Sequence, residues 1–220
     1  MTTKTKKGYK GLGMEGFIAR WYARNTEGAT RHREVAERIA SGLTDGAHIL
    51  EVAPGPGFLA IEVAKFGRFQ VAGLDISKTF VQIASENAAK AGVAVTFYQG
   101  DAAAMPFSAD VFDLIVCMAA FKNFTEPVQA LNEMYRVLNN GGRALIIDLR
   151  PDVSDEAIVA EVKKMKLSWF SSLMTKLTFK HMLRKRAYSR EQLRDMISQT
   201  PFKTCDIRED SIGFEVSLGK

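Results

Sequence analysis

The sequence predicts an α/β fold: a Rossmann-like seven-stranded, mostly parallel sheet with helices on both faces and a helical lid. Three observations predict it. Short apolar runs alternate with helical patterns between residues 48 and 149, as βαβ units require. Those runs show little in/out alternation, which fits a parallel sheet covered on both sides. The chain closes on two strand-like runs joined by the acidic turn Glu209-Asp210, the pattern of a terminal hairpin.

The elements follow in order. Residues 1–13 are rich in Lys and Gly and read as a mobile strip that orders on a ligand. Residues 14–41 are helical by the spacing of Phe17, Ile18, Trp21, Tyr22, Val35 and Ile39, with an interruption over 25–30. Residues 48–53 form a buried strand, Pro54-Gly55-Pro56-Gly57 a turn, and 58–66 a helix closed by Gly67. A second strand covers 69–75. Ser77 caps the helix that runs to Ala91, and Gly92 stops it. Residues 93–98 and 111–118 are the third and fourth strands. Thr125 with Pro127 opens a helix that Asn139-Asn140-Gly141-Gly142 ends, and 143–149 is the fifth strand. Residues 155–180 are helical and basic. Ser189-Arg190-Glu191-Gln192 is a capping box for a short helix, and 202–208 and 212–218 are the closing strands.

Composition excludes several classes. The hydrophobic fraction is 46% and the charged fraction 25%, ordinary for a globular chain and not for a disordered or collagenous one. The 2 cysteines make neither a disulfide scaffold nor a four-cysteine zinc site, and no metal is expected. No apolar stretch follows the N-terminal lysines and none is long enough to span a bilayer, so a cytoplasmic location is expected. The net charge of +5 is local: residues 161–190 carry nine Lys/Arg against Glu161 alone. That stretch, with apolar residues Phe170, Leu173, Met174 and Leu177 on one helical face, reads as a lid over an acceptor, a packed or dimer surface, or a helix on a membrane surface. Nucleic acid is not expected, because aromatic interleaving is sparse.

The chemistry begins at Ile49-Leu50-Glu51-Val52-Ala53-Pro54-Gly55-Pro56-Gly57. Glycines between a first strand and a first helix let a backbone approach a ligand closely. Asp75, about twenty residues on at the next strand's carboxyl end, offers acceptors to the two hydroxyls of a ribose. Asp101, in Gly100-Asp101-Ala102, stands at the third strand's carboxyl end and can accept from an adenine amino group. An NAD site shares the turn and the Asp75 carboxylate, with Ala60 at the third glycine of its fingerprint.

With these motifs in this order and spacing, residues 9–149 resemble the class I S-adenosylmethionine-dependent methyltransferases, in the small-molecule branch of the ubiquinone/menaquinone-biosynthesis type. The resemblance implies sheet order 3-2-1-4-5-7-6 with one late strand antiparallel. It implies S-adenosyl-L-methionine as cofactor and S-adenosyl-L-homocysteine as product. It places Glu51, Ala53, Gly55 and Gly57 in the loop against the methionine and ribose. Asp75 falls at the ribose, Ile76 beside the adenine, and Asp101 with Ala102 at the adenine edge. Met118 falls at the methionine end, and Tyr22 on a closing N-terminal helix. Tyr9 is expected to reach the cofactor carboxylate. Ala53 stands where the family usually has Gly, and Pro56 where it has a non-proline residue.

The expected organisation is one methyltransferase domain over 1–220: an N-terminal helical cap (1–41), a cofactor-binding core (47–149), a helical insert or lid (151–188), and a last helix with the hairpin (189–220). The expected activity is in-line methyl transfer to a small, anionic or amphipathic acceptor, by a monomer or homodimer. Lys122 and His181 are the candidate acceptor-side residues, with Asn123 and Arg150 beside them. Two other readings stay open: a non-catalytic cofactor-binding or regulatory protein, and a membrane-surface methyltransferase of a lipid or quinone.

Overall fold

The protein is described here by a computed structural model that covers residues 8–10, 14–26, 30–164 and 183–220. Seven strands form one sheet: β1 (His48–Val52), β2 (Gln70–Asp75), β3 (Val95–Gln99), β4 (Phe112–Met118), β5 (Leu138–Leu149), β6 (Thr204–Glu209) and β7 (Gly213–Gly219). Their order is β3-β2-β1-β4-β5-β7-β6, as expected. All neighbours run parallel except β7, which is antiparallel to both β5 and β6. Among the described residues the helices of seven residues or more are α1 (Gly16–Thr26), α2 (Thr30–Ser41), α3 (Phe58–Ala64), α4 (Lys78–Ala91), α5 (Pro127–Val137), α6 (Asp155–Lys164) and α7 (Arg190–Ser198).

Strand alternation divides the core between the two faces of the sheet. Ile49, Val71, Leu114, Val116 and Ile147 pack on one face with Val35 and Ile39 of α2 and Leu59 and Val63 of α3. Leu50, Val52, Leu74, Ile115, Cys117 and Ile146 pack on the other, against Leu131 and Met134 of α5 and Leu193 and Ile197 of α7. Each fully buried Leu or Ile contributes roughly 1.5–3 kcal/mol of transfer free energy. α6 adds a satellite cluster of Val153, Ile158 and Val162 against Leu149 and Ile212.

Local rules explain most element ends. Ser77 Oγ accepts the Phe80 amide at the start of α4. The box at α7 is complete, with Ser189 Oγ taking the Gln192 amide and Gln192 Oε1 taking the Ser189 amide. Several boundaries differ from expectation, and β6 starts at Thr204 and not at 202. β3 starts at Val95 because the Val93 amide donates to Ala88 O behind the left-handed Gly92, closing α4 instead of opening a strand. Residues 139–142 form no break between helix and strand: β5 already begins at Leu138, paired with Phe112, and absorbs them as an irregularity. At α5 the helix opens where expected, with Glu126 as the cap and Pro127 first in the helix. The expected two helices over 14–41 are present as α1 and α2. Of the expected helix over 155–180, α6 accounts for the start, and residues 165–182, His181 among them, lie outside the described residues.

Candidate cofactor and acceptor site

The carboxyl ends of β1, β2, β3 and β4 share one edge of the sheet, and the turns leaving them build the site. The turn after β1 is tightly coiled. Ala53, Gly55 and Gly57 all take positive φ, at 56°, 54° and 79°. For Gly57 the reason is packing as well as φ. A Cβ there would stand 2.8 Å from Phe97 Cζ and 2.9 Å from Ala84 Cβ, so glycine lets the turn seat against β3 and α4. Gly55 is the opposite case. No atom lies within 4 Å of where its Cβ would be, so its bare backbone faces open space. Ala53 holds a left-handed conformation despite its methyl group, at a cost of about 1 kcal/mol.

Two buried carboxylates brace this turn. Asp75, the last residue of β2, accepts the Gly55 amide through Oδ2 at 3.0 Å and the Ser77 amide through Oδ1 at 2.9 Å. Glu51 accepts the Ala60 amide at 2.8 Å, reaching from β1 under the turn to the first turn of α3. Both are 5% exposed. Burial pushes the Glu51 carboxyl up to about 8 and that of Asp75 up to about 6, the latter held back by its amide donors. Sequence spacing thus correctly paired Asp75 with the glycine turn.

Asp101 stands two residues beyond β3. Its Oδ1 accepts the Ala103 amide at 2.9 Å, and its Oδ2 lies where a side chain at Gly8 would intrude. Ala102 is half-buried beside it, and Ile76 presents an apolar side chain 39% exposed. The loop that carries Asp101 is pinned by two residues that the sequence did not single out. Glu133 accepts the Met105 amide at 2.7 Å, and Arg136 donates to Phe107 O at 2.8 Å and Met105 O at 3.1 Å while paired to Glu133. Their one signal was an acid and a base three apart on α5.

The end of β4 carries the acceptor-side candidates. Met118 is half-buried at the strand's last position, and Ala119 turns the chain at φ 60°. Lys122 does not present a free cation there. It is 2% exposed, its ammonium donates to Asp148 at 2.7 Å and to Ala119 O at 2.5 Å, and its amide donates to the other Asp148 oxygen at 2.8 Å. The expectation that Lys122 binds an anionic acceptor fails on this pairing: its charge is already compensated inside the protein. Arg150 is likewise engaged, by Glu209 at 2.7 Å and by Asp152. Asp148 was missed, although a lone acid in the apolar run of β5 was a signal. Asn123 is 4% exposed with its Oδ1 unpaired.

The N-terminal residues reach the same edge. Tyr9 bridges to Phe124, and Tyr22 of α1 packs edge-on to Phe80 of α4. The start of α1 is bolted to α4: Ser77 Oγ donates to Met14 O, and Glu15 accepts the Lys78 and Thr79 amides. A carboxylate at a helix N-terminus is favoured by the unpaired amides and the dipole.

Comparison with known proteins bears on this geometry. The family profile described as a methyltransferase domain matches residues 43–196. The demethylmenaquinone methyltransferase of Chlorobaculum parvum is 30% identical over 172 residues, 77% of this chain and 67% of that one. The demethylmenaquinone methyltransferase of Deinococcus radiodurans is 33% identical over 107 residues, 48% of this chain and 44% of that one. The chain spans less than half the length of the first three curated relatives it matches. Among solved structures, a SAM-dependent methyltransferase from Aquifex aeolicus superposes with a TM-score of 0.72 at 18% identity, over 92% of this chain and 98% of that one. No helix among the described residues is long and apolar enough to cross a membrane. By the profile match, the sheet order and the strand-end turns together, the chain belongs to the class I S-adenosylmethionine-dependent methyltransferases.

Proposed function

We propose that the chain transfers the methyl group of S-adenosylmethionine to a small-molecule acceptor, with a hydroxylated aromatic ring of the quinol type as the acceptor class. One observation carries the reading: the open Gly55 backbone, Asp75 and Asp101 stand on the same sheet edge at the ends of three strands, with the apolar Ile76 between the two acids. The residues present fit the cofactor. Gly55 leaves room where a side chain would intrude, the Asp75 carboxylate suits a ribose diol, and Asp101 Oδ2 suits an exocyclic amine. Glu51, Ala53 and Gly57 hold the turn, Ala102 flanks the adenine edge, and Met118 with Tyr9 and Tyr22 lies toward the methionine end.

When bound, the cofactor supplies a methyl group on a positive sulfur that leaves without needing a proton. The chain's task is therefore positional: to hold an acceptor atom, the methyl carbon and the sulfur in line and near contact. Lys122 acts in this as a positioning residue. Its ammonium ties Ala119, at the end of β4, to Asp148 on β5 and so fixes the loop that faces the acceptor. The quinol class is supported by the relatives named as demethylmenaquinone methyltransferases and by the burial of the Lys122 charge, which leaves an uncharged ring as the better match to that loop.

The test is to incubate the protein with methyl-labelled cofactor and a short-chain demethylmenaquinol. The expected result is label in the quinol and S-adenosylhomocysteine in equal amounts. A protein that binds S-adenosylhomocysteine but methylates no quinol has another acceptor or the non-catalytic role.

A further inference from the structure

The exposed apolar surface is gathered in one place. Of the seven large apolar side chains that stand exposed among the described residues, four belong to α1: Phe17, Ile18, Trp21 and Tyr22. Single exposed apolar residues are ordinary on any protein, whereas a cluster on one element marks a surface built to be covered. Phe17 is the extreme case at 79% exposed, with Trp21 at 45% one turn further along.

The helix is oriented the reverse way from an ordinary surface helix. Its small residues, Ala19 and Ala23, are the ones turned inward, at 0% and 8% exposure. At the helical spacing of about 100° per residue, Arg20, Arg24, Phe17, Trp21 and Ile18 follow one another across an arc of about 160° on the opposite side. All five are exposed. α1 contains no acid, and Glu15 just before it is taken up by the Lys78 and Thr79 amides. Tyr22 turns aside from this face to pack edge-on to Phe80, so covering the face leaves the cofactor side of α1 undisturbed.

Two features decide what covers it. Aromatic side chains flanked by guanidiniums, with no acid among them, are complementary to a surface that is apolar inside and negative at its boundary. The helix also stands at the rim of the crevice, because its start is bolted to the first residues of α4, directly after Asp75.

We propose that the outer face of α1 docks the protein on an anionic lipid bilayer, with Phe17 and Trp21 in the interface and Arg20 and Arg24 at the level of the lipid phosphates. The inference deepens the proposed function, and its purpose rests on that reading: docking here brings the crevice to the layer in which an amphipathic quinol dissolves. Each guanidinium near an anionic surface strengthens the partition roughly fivefold.

The test is cosedimentation of the full chain with vesicles of phosphatidylcholine, with and without phosphatidylglycerol. Wild type should bind the anionic vesicles and be released by salt. Phe17→Ser should weaken binding roughly tenfold, and Arg20→Gln with Arg24→Gln roughly twentyfold. Both variants should keep the wild-type affinity for S-adenosylhomocysteine, which shows that fold and crevice are intact. Equal vesicle binding by wild type and both variants would put the contact elsewhere, as in the basic stretch 161–190, and would overturn the proposal. So would a wild type that ignores vesicles but sediments as a dimer that Phe17→Ser dissociates, since the face would then belong to a second copy. The methyl-label assay keeps the two readings apart. Docking through α1 without quinol methylation overturns the acceptor class alone, and quinol methylation by a protein that binds no vesicle overturns the docking alone.

Discussion

Glu51 gives the protein a pH dependence of a sign opposite to that of ordinary paired carboxylates. Its folded-state value is raised to about 8 from an ordinary 4.5, with burial the dominant cause. Between those limits the unfolded chain carries Glu51 ionised and the folded protein keeps its proton. The folded state thus binds one more proton, and its stability falls as pH rises, by about 1.4 kcal/mol per pH unit from this group. The contribution is complete below the unfolded value and lost as pH climbs through about 8. Asp75 adds a slope of the same sign, but only up to about 6. The window from pH 6.5 to 7.5 therefore isolates Glu51. In Glu51→Gln the side-chain oxygen can still accept the Ala60 amide, but nothing titrates. Thermal unfolding of the ligand-free proteins, by calorimetry or circular dichroism, should show the wild-type Tm falling across that window by about 3 °C more than the variant's, for a chain of this length. Parallel slopes for the two proteins would refute the reasoning and show that Glu51 is ionised in the folded state.

Three further predictions follow from the turn and the buried pair. Ala53→Gly removes the cost of a left-handed alanine and should raise stability by about 1 kcal/mol, or about 2 °C in Tm; a fall in Tm would show that the methyl group packs favourably. Gly57→Ala drives a Cβ into Phe97 and Ala84 at a positive φ, and should cost about 2–3 kcal/mol by denaturant titration; a neutral result would mean that the turn moves freely against β3. Lys122→Met strands Asp148 and should cost about 3–5 kcal/mol, whereas Lys122→Met with Asp148→Leu should recover most of the loss; a double variant as unstable as the single one would mean that the pair is not what Asp148 requires.

The parts of the fold that could be read from the sequence are those set by neighbours along the chain. Ser77, Gly92 and the Ser189–Gln192 box act over three or four residues, and each behaves as its local chemistry dictates. Asp75 was legible because the spacing from the glycine turn to the second strand's end is a property of one βαβ unit. The failures are long-range. Nothing local shows that Lys122 points inward at Asp148, 26 residues away on the adjoining strand, so a lysine beyond a strand end looked like a surface cation. Glu133 and Arg136 look like an ordinary helix-surface pair until β4 and α5 bring them under the Asp101 loop. The seating of residues 8–10 is of the same long-range kind, because the Lys10 amide bonds Asn123 O and the Thr125 amide bonds Gly8 O. The displaced start of β3 is a different error: the end signal at Gly92 draws in Val93, and the strand starts two residues later than its pattern suggests.

The central claim is that the edge formed by Gly55, Asp75 and Asp101 binds the adenosyl cofactor. Thermal unfolding with S-adenosylhomocysteine, S-adenosylmethionine and NAD, on wild type and Asp75→Ala, tests it most directly. At about 100 times its dissociation constant a ligand stabilises by roughly 2.7 kcal/mol, which is about 6 °C for this chain. The account predicts that shift with the two sulfur ligands, none with NAD, and its loss in Asp75→Ala. A shift with NAD alone, or one that survives unchanged in Asp75→Ala, would contradict it.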